Sequence, residues 1–169
     1  MKIYITGIPG VGKSSLIKEL KKRGMPAFDL DSIKGLCQWK NKKTGKNAKW
    51  FSGVEKDWFE NYDQLCDKIK LKNLIKGKNK VFIAGLVSNQ NNFLDLFDKI
   101  FLLRCKKRTF LKRILERKDN QFGKSSIEQK MLAEWHKEFE QDTMKKGAEP
   151  IDAEKSISDI TKEILSKSG

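Results

Sequence analysis

Gly7-Ile8-Pro9-Gly10-Val11-Gly12-Lys13-Ser14 is a complete G-x-x-x-x-G-K-[ST] run, and it begins where the apolar stretch Ile3-Tyr4-Ile5 ends. A backbone that aims successive N–H groups at phosphate oxygens must adopt conformations that a Cβ blocks, hence the glycines. Lys13 then reaches the β- and γ-phosphates of a nucleoside triphosphate, and Ser14 offers its hydroxyl to Mg²⁺. Leu16, Ile17 and Leu20 follow at helical spacing and Arg23-Gly24 ends the run, so the loop opens a helix whose N-terminal dipole favours anions. The expected phosphate-binding set is Gly7, Pro9, Gly10, Val11, Gly12, Lys13, Ser14 and Ser15. A strand, a phosphate loop and a helix in that order fix the first unit of an α/β fold.

The 169 residues suit one domain, residues 1–169, with a sheet and two helical layers. Strand and helix signals alternate, which implies a parallel sheet. Strands are expected at Lys2 to Thr6, Pro26 to Leu30, Val81 to Ala84, Lys99 to Leu103 and Pro150 to Asp152, five in all. Gly35 to Gly53 is polar and rich in lysine and asparagine, and reads as a loop or mobile cover. Trp58, Phe59, Tyr62, Leu65, Cys66 and Ile69 recur every three or four residues and predict one amphipathic helix running towards Gly77, its aromatics in the core. A brief helix is expected over Asn91 to Phe97, others around Phe110 to Leu115 and Ile157 to Leu165. Ser125-x-x-Glu128 is a capping-box signature for a further one.

No apolar run is long enough to span a bilayer, and Met1-Lys2 leads into the first strand without a signal-peptide pattern. A soluble, cytoplasmic protein with no membrane partner is the expectation. The three cysteines, Cys37, Cys66 and Cys105, form neither a disulfide framework nor a zinc pattern and read as reduced packing residues. A net charge of +14 brings nucleic acid into view as a partner. However, only five of the 36 basic residues are arginine and the lysines are scattered, so a solvated basic surface is the favoured reading. The residues carry no signal for an oligomeric state.

A phosphate loop needs a carboxylate near the metal, and the strand ending Ile83-Ala84-Gly85-Leu86-Val87 offers none. Phe28-Asp29-Leu30-Asp31 closes the second strand instead. On extended chain its two aspartates project from one face, at the sheet edge where an open parallel sheet binds ligands. One carboxylate can hold the Mg²⁺ hydration shell while the other orients or deprotonates an acceptor hydroxyl. The competing reading is a helix cap at Asp31 or Ser32.

G-x-P-G-x-G-K-S, the following F-D-x-D, the missing acid after the third strand and the late Arg113-Ile114-Leu115-Glu116-Arg117 helix together resemble the small P-loop kinases. These are the adenylate-kinase-like and the shikimate- or gluconate-kinase-like families. The resemblance implies a P-loop NTPase fold, a three-layer α/β/α sandwich around a five-stranded parallel sheet, working with ATP and Mg²⁺. It further implies that Asp29 lies near the metal with Ser14, that Asp31 meets the acceptor, and that Gly85 stands where a glycine touches acceptor. The chain has Leu86-Val87-Ser88-Asn89 in place of the family's glycine cluster, so no named sugar or shikimate acceptor is implied. Arg113 and Arg117, one helical turn apart, match the arginines that clamp nucleotide phosphates before a lid, here a short loop over about residues 117–126 with Gly123 as its flexible point.

In this fold the insert between strands two and three, about residues 31–80, builds the acceptor site. It carries Trp39, Trp50 and the basic stretch Lys40 to Lys46, which suits a nucleoside, a nucleotide or a polynucleotide end. A loop pinned by its tryptophans is the other reading. Ser88, Asn89 and Gln90 follow the third strand, where polar side chains meet an acceptor or simply form a turn. His136, the only histidine, falls in an amphipathic helix with no motif around it. The sequence thus points to an ATP-dependent kinase acting on a small-molecule or nucleotide acceptor, with Lys13, Asp31, Arg113 and Arg117 as catalytic candidates. The alternatives are an adenylate-kinase-like ATPase acting on RNA or RNA-protein particles and a polynucleotide 5′-hydroxyl kinase.

Overall fold

The computed structural model describes all 169 residues. β1 (Lys2–Thr6) carries the apolar run Ile3-Tyr4-Ile5, as suits a strand covered on both faces, and it lies at the centre of a five-stranded sheet. β2 (Ala27–Asp29), β6 (Val81–Ala84), β7 (Lys99–Arg104) and β8 (Glu149–Asp152) complete it in the order β2-β6-β1-β7-β8. All pairs are parallel, with Ile3 opposite Phe82 on one side and Lys99 on the other. Pro150, which has no N–H for a ladder, sits on the edge strand β8 where one is not required.

The two-residue period of the central strands splits the core. Ile3, Ile5, Phe82 and Ala84 enter a cluster of 23 buried residues that includes Leu16 and Leu20 of α1 (Lys13–Lys22) and Ile160 and Ile164 of α6 (Ile157–Lys167). Tyr4, Val81 and Ile83 point the other way, into a smaller cluster with Leu71 and Ile75 of α3 (Lys68–Ile75). α4 (Lys107–Glu116) and the 20-residue α5 (Ser126–Lys145) add Phe110, Ile114, Leu132 and Phe139 to the larger cluster. The expected capping box is formed: Ser125 Oγ accepts from the Glu128 N–H, and the Glu128 carboxylate accepts from the Ser125 N–H. No helix is long and apolar enough to cross a membrane.

The five-stranded parallel sheet agrees with the sequence, but the chain has eight strands, not five. Gly35 to Gly53 is not an open loop: β3 (Cys37–Asn41) and β4 (Asn47–Ala48) form a hairpin within it. Nor is Trp58 to Ile69 one helix. α2 (Lys56–Asn61) gives way to β5 (Tyr62–Cys66), which pairs antiparallel with β3, and Asp67 then caps α3 by accepting from the Ile69 and Lys70 N–H groups. Asn91 to Phe97 holds two 3₁₀ turns instead of a helix. β2 ends at Asp29, so Asp31 lies in a 3₁₀ turn (Leu30–Ser32) and not on extended chain. Asp29 caps that turn, its Oδ1 accepting the Asp31 N–H at 3.1 Å.

Candidate active site

Three glycines shape the phosphate loop for separate reasons. A Cβ on Gly7 (φ 151°) would stand 2.7 Å from the Leu103 carbonyl oxygen, and one on Gly10 (φ 83°) 2.5 Å from that of Phe110. Gly12 (φ 110°) has open space beside it, so its backbone conformation alone demands glycine. Gly12 is also the N-cap of α1, with no side chain capping the helix. The backbone N–H groups of Gly12, Lys13, Ser14 and Ser15 consequently have no acceptor within the protein, as at any uncapped helix start. Four unpaired donors at the positive end of a helix dipole fit a polyphosphate.

Lys13 is half-buried and has no carboxylate bonded to it. Its ammonium donates to the carbonyls of Gly7 and Ile8, and burial pulls its pKa down to about 8 against the opposing pull of Asp31 and Asp29. Ser14 Oγ donates to Asp29 Oδ2 at 2.7 Å, which ties the loop to the end of β2. Nowhere in the chain do three or more His, Cys, Asp or Glu side chains gather as a metal cage. A hard divalent ion would therefore depend on Ser14 and Asp29 together with ligand oxygens, the usual manner of Mg²⁺ beside phosphates.

Asp31 lines the same cavity beside Asp29 and within reach of the Lys13 charge. Gln64 of β5 donates its amide to Asp31 Oδ1 at 2.8 Å. Burial and the neighbouring Asp29 charge raise the Asp31 pKa, while Lys13 and the Gln64 hydrogen bond hold it down. The cavity, about 1230 Å³, runs from the phosphate loop to the insert on one side and along α5 to the start of α6 on the other. The phosphate-loop and insert regions are continuous within it, so donor and acceptor can lie in one cavity.

The insert wall is built by the three-stranded sheet β4-β3-β5. Trp39 lies opposite Gln64, and Tyr62 two residues from Gln64 shares its face, as the strand period requires. Trp58 stacks on Tyr62 with ring centroids 4.7 Å apart, and Trp39 meets Trp58 edge-on at the same separation. All are only partly buried and none belongs to either core cluster, contrary to the expectation that Trp58, Phe59 and Tyr62 would fill the core. Ser88 lines the cavity and donates its N–H to the Gln64 carbonyl.

Two acceptor candidates lie elsewhere. Asn89 is engaged in structure: its Oδ1 accepts from the Cys66 N–H and its Nδ2 donates to the Cys66 carbonyl, both at 2.9 Å, which anchors the end of β5. Gly85 is not in the wall, and a Cβ there would stand 2.6 Å from the Leu30 side chain, so packing of Leu30 accounts for the glycine. Its carbonyl accepts from the Tyr4 hydroxyl at 3.1 Å. Of the three cysteines, all free, Cys37 and Cys66 stand directly opposite each other across β3 and β5.

Both arginines line the cavity, but they do different work. Arg113 bonds the carbonyls of Val11 and Ala153, fixing the phosphate loop to the turn after β8 in place of presenting a free clamp. Arg117 bonds the carbonyls of Asn120 and Phe122, and so shapes the lid between α4 and α5. The Gly123 N–H is held by Glu128 at 3.0 Å, so the expected flexible point is pinned here. The same Glu128, almost completely buried, accepts at 3.0 Å from the Trp50 indole N–H, joining insert to lid. Trp50 and Phe59 both pack edge-on against Phe122 of the lid. His136 is buried in α5 against Phe110, away from this cavity.

Sequence reasoning missed Gln64, Tyr62, Phe59 and Phe122. The first two were legible in the alternation Tyr62, Gln64, Cys66, had the stretch been read with a two-residue period.

A family described as AAA domain matches residues 3–134. The chain belongs to this family. Within it, the architecture is that of a small P-loop kinase. Deoxyadenosine kinase from M. mycoides, solved with the products dCMP and dCDP, superposes with a TM-score of 0.60 at 18% identity, covering 99% of this chain and 98% of that one. Shikimate kinase from Aquifex aeolicus gives 0.54 at 19% identity, with 99% and 96% covered. A gluconokinase from Sinorhizobium meliloti gives 0.53 at 12% identity, with 98% and 89% covered. At these identities the likeness is one of fold. No curated protein sequence matches the chain.

Proposed function

We propose that the chain is an Mg-ATP-dependent phosphotransferase that moves the γ-phosphoryl group to a hydroxyl of a small acceptor. One observation carries this reading: a single cavity is bounded by the phosphate loop with Ser14 and Asp29, by Asp31 beside them, and by Gln64, to which Asp31 is bonded, with the insert aromatics. The amides of Gly12 to Ser15 and Lys13 hold the donor phosphates, and Ser14 and Asp29 would hold Mg²⁺, which supplies neutralisation of the charge that moves in transfer. Asp31, its pKa raised by burial and by Asp29, takes the acceptor proton. The acceptor oxygen bonds the γ-phosphorus as the bridging bond to ADP breaks, and the proton passes to Asp31. Arg117 and Arg113 keep lid and loop in register while this happens.

Labelled ATP incubated with a panel of hydroxyl acceptors, beside acceptor-free hydrolysis, tests the proposal. Label should pass to at least one acceptor at a rate well above phosphate release. Phosphate release that no acceptor alters, with no labelled product, would replace the kinase reading by the ATPase one.

A further inference from the structure

We infer that the acceptor is an uncharged, ring-bearing hydroxyl compound of the nucleoside class, and not a nucleotide, a sugar acid or the end of a nucleic acid. This rests on the phosphotransferase reading for the assignment of the insert end of the cavity to the acceptor.

The charge distribution carries the inference. The chain bears +14, and lysines crowd the insert, yet none of them reaches the cavity. The insert's charged contributions to the wall are Asp31 and Asp63, both anionic. Strand alternation is the cause: Cys37, Trp39, Tyr62 and Gln64 share the inward face, whereas Lys40 and Asp63 fall on the other, where Asp63 borders the cavity only at its rim and pairs with Lys42 at 3.7 Å. The insert contains no arginine. An acceptor phosphate or carboxylate is normally gripped by guanidinium or ammonium groups. Here it would meet the Asp31 carboxylate and no cation of the insert, and like charges in such proximity suppress binding.

What the insert's part of the wall does offer is flat apolar surface and one amide, that of Gln64. Trp39, Phe59 and Tyr62 present ring surface, which suits stacking of a planar heterocycle. Gln64 directs one N–H to Asp31, while its Oε1 accepts no hydrogen bond from the protein, leaving an acceptor and a second N–H for the polar edge of a ring. Asp31 beside it is placed for the hydroxyl. A sugar acid would leave the rings unused and its own charge uncompensated.

The test measures binding and transfer separately. Tryptophan emission is titrated with adenosine, cytidine, guanosine and thymidine and their deoxy forms. Their 5′-monophosphates, gluconate, shikimate and a 5′-hydroxyl oligonucleotide are run alongside, without ATP, at low and high salt. Transfer from labelled ATP is then measured for each. At least one nucleoside should quench saturably, insensitive to salt, and bind about ten-fold or more tightly than its monophosphate. Trp39→Ala should remove that binding and Trp39→Phe retain it, with circular dichroism confirming that both fold. Gln64→Arg, which adds a cation to the wall, should narrow the gap between monophosphate and nucleoside. A monophosphate, sugar acid or oligonucleotide that binds wild type as tightly as any nucleoside overturns the inference, as does the absence of binding by every nucleoside. Nucleoside binding without transfer would sink the kinase reading and with it the acceptor role, leaving the insert as a nucleoside-binding site. Transfer to a sugar acid would do the reverse.

Discussion

The Ser14 hydroxyl donates to Asp29 Oδ2 at 2.7 Å, across a gap that only the fold closes, since the two residues lie on different strand-to-helix connections. One is the second residue of α1 and the other the last of β2, on strands separated by β6. In a parallel sheet all the C-terminal strand ends emerge on one edge, and the pair meets there.

The first prediction follows from that pair. Asp29→Asn keeps the shape and a hydrogen-bonding oxygen but removes the charge, so the Mg²⁺ concentration needed for half-maximal transfer should rise about 10–100-fold. Nucleotide binding without Mg²⁺ should change little. A magnesium titration of turnover checks this, and an unchanged requirement would show that the ion takes its acid from another residue.

Lys13 gives a stability signature opposite to that of most paired lysines. Its folded-state pKa, about 8, lies below its ordinary value of 10.5, so the unfolded chain holds the proton more tightly. Below pH 8 this group opposes folding in full, and the opposition fades as pH rises from about 8 to about 10.5. Lys13→Ala should therefore abolish transfer while leaving the protein at least as stable as wild type at pH 7. The advantage of the variant should shrink towards pH 10. Denaturant midpoints of both proteins at pH 7, 9 and 10 measure it, and a variant less stable at pH 7 would contradict the account.

How far the sequence could go is clearest around these residues. The phosphate loop is legible because its chemistry is local: glycine conformations, Lys13 and Ser14 all lie within eight residues. The five parallel strands are legible because continuous apolar runs such as Val81 to Ala84 occur where both faces are covered. The insert was not. Trp58, Phe59, Tyr62, Leu65 and Cys66 satisfy a helical period as well as they satisfy a short helix followed by a strand, and the decision rests on β3, which supplies the pairing partner from more than twenty residues away. Asn89 and Gly85 were misplaced for a similar reason. Their partners, the Cys66 backbone and the Leu30 side chain, are distant in sequence, and a polar residue past a strand end looks alike whether it faces a ligand or another strand.

Asp31 and Gln64 yield a prediction about pH. Substitution of Asp31 by Asn should lower kcat by about 10²–10⁴-fold if the carboxylate takes the acceptor proton. Gln64 stabilises the ionised form of Asp31 by donating to it, so Gln64→Leu should raise the Asp31 pKa further. The acid limb of the pH–rate profile should then move to higher pH, whereas a purely structural role would lower the rate at every pH alike. Profiles from pH 4 to 8 with saturating acceptor distinguish the two.

Glu128 carries the last prediction. Its carboxylate is buried at the start of α5, where Oε1 accepts from the Trp50 indole and Oε2 from Gly123, Ser125 N–H and Ser125 Oγ. The helix N-terminus favours its charge, and the four donors replace the water it has lost. Glu128→Ala would strand those donors in a dry site and remove the capping box at once, with an expected loss of about 3 kcal/mol. Trp50→Phe breaks only the insert-to-lid bond, and should reduce stability by about 1 kcal/mol while keeping the ring contact with Phe122. Because that bond holds lid and insert together over the cavity, Trp50→Phe should also raise KM for the acceptor more than it changes KM for ATP. Chemical denaturation together with two-substrate kinetics checks both halves, and equal effects on the two KM values would mean that the bond only stabilises the fold.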